Sequence, residues 1–252
     1  MNSKSFPGTR LTKSASTPVE DLLPVEAVLQ LKVNGAAYTT TVRTPGADEA
    51  LARGLLYTEG VLVDVTTNNW AMSSDVSVYL LDQMGGKGNI IFLRMAEHHG
   101  TRKRGDVMET VLKEYPDVKV LAEHNIDYTA FFEDTNKTME DYVARFGNEI
   151  NAVWAPWDEP AQAAVNVLNA AGLTNVMVIG IDGHPQAVAE VCKPDSQMIA
   201  TVGQPFEKMG AQVGEWIQAI VVDKQNPDDV LPAKTVYMDA PLITKKNCKD
   251  FM

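Results

Sequence analysis

Cationic side chains are scarce in this chain. Its 22 lysines and arginines face 33 aspartates and glutamates, a formal charge of −11 at pH 7. That imbalance repels a phosphate backbone and argues against nucleic acid as the main partner. Anionic membrane surfaces are disfavoured for the same reason. No apolar run approaches the ~20 residues that span a bilayer, so no membrane insertion is expected. The opening stretch MNSKSFPGTRLTKSASTPVEDLLPVE has a basic start but no continuous apolar centre. No secretory signal peptide is expected from it, and the chain as written would stay in the cytoplasm.

Cysteine is nearly absent, with Cys192 and Cys248 alone. Their spacing matches no metal motif and fixes no pairing, so two incidental thiols are the favoured expectation. The nucleophile pattern GxSxG is missing. His98 and His99 have no cysteine or acidic partner at a metal-like spacing and read as solvated loop residues. No spacing composes an acid–base pair. No catalytic residue, metal or cofactor is therefore expected.

What is present is ordinary for a soluble domain: 45% hydrophobic and 22% charged residues over 252 positions, enough to bury a sizeable core. The first two dozen residues are rich in Ser, Thr, Lys and Pro without periodicity, and read as a disordered or loosely attached lead. Two β-rich runs, Val28–Val33 and Ala37–Val42, then flank Asn34-Gly35, the strongest short hairpin signal. Pro45-Gly46 reads as a turn, and the spacing predicts a helix over Ala47–Tyr57 that stops at Gly60.

From Val65 the rhythm changes to strict alternation of helix and strand. Helical spacing covers about Trp70–Met84, Lys103–Glu114, Asn136–Phe146, Pro160–Ala171, Pro185–Val191 and Phe206–Val221. Between them stand short apolar runs such as NIIFLRM, INAVWA, VMVIGI and MIATVG. Near-continuous apolar runs of that length are what strands buried on both faces require. The pattern predicts right-handed βαβ units on a parallel sheet. The glycine-rich GGKGN at Gly85–Asn89 follows a helix and precedes a strand. That is the reverse of a phosphate loop, so it reads as a helix stop and tight turn.

Polar or aromatic residues recur just past the predicted strand ends: Arg102 and Arg104, Tyr128, Trp157 with Asp158 and Glu159, Asp182, and Gln204. In open α/β sheets that edge is where ligands bind. A neutral polyol needs this mix. Charged planar groups and amides hold hydroxyls, and an aromatic face covers the apolar side of a ring. Turn and capping roles explain any one of these residues singly. Their recurrence at successive strand ends favours a site.

Residues about 64–248 resemble the periplasmic binding proteins of the ribose-binding type, the sugar-capturing components of ABC importers. The stretches that carry the resemblance are VTTNNWAM, GGKGNIIFL, RGDVMETVLKEYPDVKVLAE, INAVWAPWDEPAQAAVNVLNAAG, NVMVIGIDGHP, IATVGQPFEKMG and PLITKKN. The resemblance implies two α/β lobes joined by hinge strands, with sugar bound in the cleft as the lobes close. It also implies a periplasmic location and membrane subunits of an ABC transporter as partners. Carried over by motif, the ligand arginine falls on Arg104, the stacking aromatic on Tyr128, the strand-end aspartate on Asp182 and the hinge glutamine on Gln204. Trp157 stands where the family has an asparagine, which implies a different sugar or stacking in place of a hydrogen bond.

Residues about 19–62, VEAVLQLKVNGAAYTTTVRTPGADEALARGLLYTEGVL in particular, resemble the start of the formate dehydrogenase accessory sulfurtransferases. A sulfurtransferase needs a thiolate. With no cysteine before Cys192, that activity is disfavoured.

The expected fold is α/β: a parallel sheet with helices on both faces, preceded by a small β-hairpin plus helix unit. The expected domains are a lead at 1–18, an accessory-protein-like fragment at 19–63 and a binding-protein-like domain at 64–252 that lacks most of its first lobe. The expected function is capture of a small sugar or polyol through Arg104, Tyr128, Trp157, Asp182 and Gln204. Binding should be weak, because one lobe encloses a ligand from one side only. The alternatives are a sulfur carrier or a hybrid with no selected function, whose unpaired strand and helix near Ile199–Val222 would promote association.

Overall fold

Ile90 and Phe92 alternate with Ile91 and Leu93 along the strand Lys87–Arg94, and all four side chains are buried. Such a strand must lie inside a sheet covered on both faces. In the computed structural model it does. The residues described are 3–11, 16–24, 27–33, 36–43, 48, 51–52 and 64–252. The chain divides into two units, Met1–Asp64 with Leu231–Lys234, and Val65–Val230 with Thr235–Met252.

In the first unit, β1 (Ser3–Leu11) pairs antiparallel with β2 (Ser16–Pro24), and β3 (Ala27–Val33) with β4 (Ala36–Arg43). The second pairing is the hairpin that the sequence predicts, although Asn34-Gly35 lies outside the described residues. The first falls in the stretch read from sequence as a disordered or loosely attached lead, and it forms a two-stranded sheet of its own. Antiparallel pairing satisfies backbone N–H and C=O groups without any apolar alternation in the sequence. Of the helix expected at Ala47–Tyr57, only Asp48, Leu51 and Ala52 are described, and these are helical. The turn at Pro45-Gly46 and the stop at Gly60 lie outside the described residues.

In the second unit the strands are β5 (Asp64–Thr67), β6 (Lys87–Arg94), β7 (Asp117–Asn125), β8 (Ala152–Trp154), β9 (Met177–Ile179), β10 (Met198–Val202), β11 (Thr235–Met238) and β12 (Leu242–Thr244). The helices are α1 (Asn69–Gln83), α2 (His99–Leu112), α3 (Phe131–Phe146), α4 (Asp158–Ala170), α5 (Pro185–Val191), α6 (Phe206–Ile217) and α7 (Pro227–Val230). A six-stranded sheet runs in the order β12-β10-β9-β8-β6-β7, while β5 and β11 form a separate pair. All neighbours in the six-stranded sheet are parallel except β12, which is antiparallel to β10.

Two cores follow from the strand alternation. On one face Ile90, Phe92, Trp154, Ile179 and Val202 meet Met72, Val76, Leu80 and Leu81 of α1 and Met108 of α2. Trp154 donates its indole N–H to Ser77 Oγ at 2.8 Å, so the largest buried ring leaves no orphan donor. On the other face Ile91, Leu93, Val153 and Val178 meet Met139 of α3, Ala164 and Leu168 of α4, and Val188 of α5.

Local sequence sets the helix ends. Asn68 caps α1 by accepting from the N–H groups of Trp70 and Ala71 at 3.1 and 3.2 Å. The GGKGN segment is the stop that the sequence predicts. Gly85 and Gly86 have φ of +68° and +70°, and Gly86 N–H returns to Leu81 O at 2.9 Å. The helices α1 and α4 begin within two residues of their predicted starts, while α2 and α3 begin a full turn ahead of theirs. His98 caps α2 through Nδ1, which accepts from Thr101 N–H at 3.4 Å, and a 3₁₀ turn, Tyr128–Ala130, leads straight into α3.

Cys192 and Cys248 are disulfide-bonded, with Cα atoms 5.6 Å apart. This corrects the expectation of two incidental thiols. The antiparallel return through β12 brings the last turn, Cys248–Phe251, against α5. The expectation of an unpaired strand near Ile199 is corrected as well, since β10 is flanked by β9 and β12. The helix beside it does expose Phe206, Val213, Ile217 and, in the π turn that follows, Val221.

Candidate functional site

The sheet order places β7 on one side of β6 and β8, β9 and β10 on the other. The chain therefore reverses its direction of winding at β6 and β8, and in open α/β sheets ligands bind outside the carboxyl ends at such a point. Four segments leave the sheet there: the β6–α2 turn, Ala155–Trp157 after β8, Gly180–His184 after β9, and Gly203–Pro205 after β10.

Arg104 lies on α2 and its side chain is 7% exposed. Its Nε donates to Asn69 Oδ1 at 2.8 Å, and Nη1 donates to the Pro156 carbonyl at 2.7 Å. Its Nη2 pairs with Asp182 Oδ1 at 3.0 Å. The backbone carbonyl of Arg104 is itself fixed, accepting from Ser73 Oγ at 2.7 Å. The planar fork is thereby locked from α1, β8 and β9 at once, and each terminal nitrogen keeps a second N–H.

Asp182 accepts a further bond, from Gln204 Nε2 to Oδ1 at 2.5 Å, and Gln204 Oε1 accepts from Thr67 Oγ at 2.5 Å. Thr67, Gln204, Asp182 and Arg104 thus form one continuous run of polar groups. It begins at the buried end of β5 and ends on α2.

The backbone at Asp182 is strained. Its φ is +133°, in the region that favours glycine. An isolated parallel bridge to Gly203 holds it there, with Asp182 N–H donating to Val202 O and Gln204 N–H to Asp182 O, both at 2.9 Å. Gly183 follows at φ +69°, and a Cβ on it would meet Gly203 Cα at 2.5 Å. Only glycine permits that approach.

Beneath this turn lies Asp158, fully buried at the first position of α4. Thr201 Oγ donates to its Oδ1 at 2.6 Å, and His184 N–H donates to its Oδ2 at 2.8 Å. Burial pushes its carboxyl up to about 7, against the lowering effect of those two hydrogen bonds; the nearby Asp182 adds a smaller upward push.

The five residues singled out from the sequence separate into two sets. Arg104, Asp182 and Gln204 come together in the polar run. Tyr128 sits apart on the 3₁₀ turn before α3, 66% exposed. Trp157 is 8% exposed, and its ring meets Phe131 edge-on at 5.8 Å within the core of that face. His98 and His99 are exposed, as the sequence reading has them.

The sequence reading misses Thr67 and Asn69, which complete the run. Both belong to TTNN, a stretch with polar residues but no strand end before it to draw notice. Among the described residues one group brings three metal-type donors within 4.8 Å: Glu159, Asp182 and His184. His184 Nε2 and Glu159 Oε1 are 3.7 Å apart with side chains 41% and 38% exposed, too long for a hydrogen bond and open to solvent on one side.

Comparison with known proteins follows the same lines. The periplasmic binding protein domain family matches residues 38–226. A xylitol-binding protein of Mycolicibacterium smegmatis is 29% identical over 163 residues, 63% of this chain and 46% of that protein, so the chain spans about half its length. A crystal structure of an ABC transporter solute binding protein from Agrobacterium vitis with bound allitol superposes with a TM-score of 0.66 at 26% identity. It covers 74% of this chain and 63% of that one. A 54-residue stretch is 46% identical to the sulfur carrier protein FdhD of Mycolicibacterium paratuberculosis, covering 21% of this chain and 20% of that protein. The α/β fold with its largely parallel sheet is the fold of these binding proteins.

Proposed function

The chain belongs to the periplasmic binding protein domain family, and from that premise we propose that it binds a small sugar or polyol at the carboxyl ends of β6, β8, β9 and β10. One observation carries the reading: the hydrogen-bonded run Thr67–Gln204–Asp182–Arg104 stands at the reversal point of the sheet. A polyol hydroxyl both donates and accepts. The second N–H on each Arg104 terminal nitrogen and the Oδ2 of Asp182 answer those two needs side by side. Tyr128 keeps an exposed ring near the exit of β7, and Trp157, where the family has an asparagine, is packed into the core against Phe131, so the reading rests on Arg104, Asp182 and Gln204. The named ligands of the relatives, xylitol and allitol, are acyclic polyols of this size.

Binding is weak in this reading, because residues 64–252 provide one wall of an enclosure. Delivery to ABC transporter membrane subunits is the downstream step, without chemistry on the ligand. The family is periplasmic, and the Cys192–Cys248 disulfide supports an oxidising compartment for this chain too. Residues 19–63 form a fragment of sulfur-carrier type joined to the binding domain. We expect no sulfur transfer from it, because both cysteines lie in the other segment and are joined to each other.

Calorimetric titration against xylitol, allitol, pentoses and hexoses tests the proposal. We expect saturable but weak binding of at least one polyol. It should fall about tenfold or more in Arg104→Lys, which keeps the charge and loses the fork. No saturable heat with any of these at millimolar concentration overturns it.

A further inference from the structure

The polar run explains what faces the ligand but leaves Asp158 without a task. An aspartate at the first turn of a helix commonly serves that helix's own N–H groups. Here both oxygens are engaged elsewhere, by Thr201 on β10 and by His184 on the turn after β9. Thr201 Oγ in turn accepts from Gly183 N–H at 3.2 Å. The N–H groups of Asp182, Gly183 and His184 therefore all point down, to Val202 O, Thr201 Oγ and Asp158 Oδ2 in succession. Successive N–H groups turned to one side form a concavity that suits an anion. Here the three N–H groups are taken by three acceptors, of which Asp158 is the one side chain supplied from another helix. The space is made for it: a Cβ on Gly180 would collide with Asp158 Oδ1.

We propose that Asp158 is a positioning residue for ligand binding: it pins the strained Asp182–Gly183–His184 turn from below and so aims the Asp182 carboxylate at Arg104 and the bound polyol. The ligand part of this rests on the polyol reading above; the pinning of the turn does not. Without the anchor, the turn keeps the Gly203 bridge, the Gly183 bond to Thr201 and the side-chain bonds of Asp182 to Arg104 and Gln204, but loses its hold at His184, the end nearest α5. The charged groups around Asp158 are Asp182 and His184 on the turn, Glu159 on its own helix, and Arg104 of α2 through its pair with Asp182. Thr201 is the neutral partner from β10.

Asp158→Asn keeps the shape but exchanges one acceptor for a donor. The Thr201 hydroxyl already accepts from Gly183, so its own hydrogen loses its partner. Hydrogen exchange of the unliganded full chain reads the pinning. We expect the amides of Gly183 and His184 to exchange about tenfold faster or more in Asp158→Asn, the loss of one buried hydrogen bond. Amides of β6 and β8 should keep their rates. Thr201→Val should reproduce the effect and Thr201→Ser should not.

In the titration, Asp158→Asn should weaken polyol binding about tenfold in the wild-type background and have no further effect in Asp182→Asn. A role confined to general stability would add its loss in both backgrounds. Thr201→Val removes the acceptor of Gly183 N–H itself, so His184 is the deciding amide there: unchanged exchange at His184 in both Asp158→Asn and Thr201→Val overturns the inference. If Asp158→Asn speeds exchange throughout the sheet, Thr201→Val decides. A wild-type chain that binds no polyol sinks the ligand reading alone, and exchange at the turn still decides the anchor.

Discussion

At the scale of single residues, the turn after β9 concentrates what the fold can least afford to change. Gly183 is the sharpest case. Its φ of +69° and the 2.5 Å approach to Gly203 Cα leave no room for a methyl group. Gly183→Ala should destabilise the protein by about 2 kcal/mol or more, read from the urea midpoint, because positive φ and a backbone clash add. An unchanged midpoint means that the turn is free to move.

Asp158 makes a second prediction, in which the sign matters. The folded protein holds its carboxyl near 7, and the unfolded chain returns it to the ordinary 3.8. The folded state therefore binds the proton more tightly. The stability contribution of this group is full below about 4 and is lost as pH rises through 7. Wild type should lose stability relative to Asp158→Asn between pH 5 and pH 8; parallel curves contradict the assignment. The sequence shows Asp158 and Asp182 equally plainly, as acidic residues past strand ends. It does not show that one is fully buried and the other keeps partial exposure beside Arg104, because that depends on which neighbour closes over each.

At the scale of elements, the helices were legible where a chemical marker stood at the boundary. Pro185 at the first position of α5 and the pair Gly85-Gly86 after α1 are such markers, and both ends fall where the sequence predicts. The starts of α2 and α3 fall earlier because their markers are weak. Histidine is an uncommon cap, and the turn Tyr128–Ala130 merges into α3 without a glycine or proline. The strands were legible because burial on both faces requires unbroken apolar runs. Which strands neighbour each other was not, and that order brings Arg104, Asp182 and Gln204 together while leaving Tyr128 apart.

Among the described residues, helix α6 buries no side chain fully. Phe206, Val213 and Ile217 recur at helical spacing, and Ile217 is 54% exposed. Val213→Lys with Ile217→Lys should therefore change stability by no more than about 0.5 kcal/mol, since nothing buried is disturbed. A larger loss in thermal or urea unfolding shows this face covered in solution.

At the scale of the whole molecule, the change of rhythm near Val65 in the sequence coincides with a division of the chain into two units between Asp64 and Val65. The matching relatives are of two kinds, a binding protein over 63% of the chain and a sulfur carrier over 21% of it, and the binding-protein family match at residues 38–226 runs across Val65. The second unit carries its own closure. The disulfide spans a sequence separation of 56 residues, enclosing β10, α6, α7, β11 and β12. Sequence could not reveal it, because proximity of Cys192 and Cys248 exists only once β12 has returned antiparallel to β10.

On the chain-entropy account a loop of that length lowers the freedom of the unfolded state by about 4 kcal/mol. Cys192→Ser with Cys248→Ser should lower the unfolding free energy by an amount of that order. Reducing agent should lower the wild-type midpoint and leave the double variant unmoved. The site should survive, since Arg104, Asp182 and Gln204 are fixed by α2, β9 and β10 and none touches the disulfide. Polyol affinity measured well below the unfolding midpoint is then unchanged by reduction. Affinity that falls with reduction ties the closing strand β12, through Gly203 N–H to Pro241 O at 2.9 Å, to the geometry of the Asp182 turn.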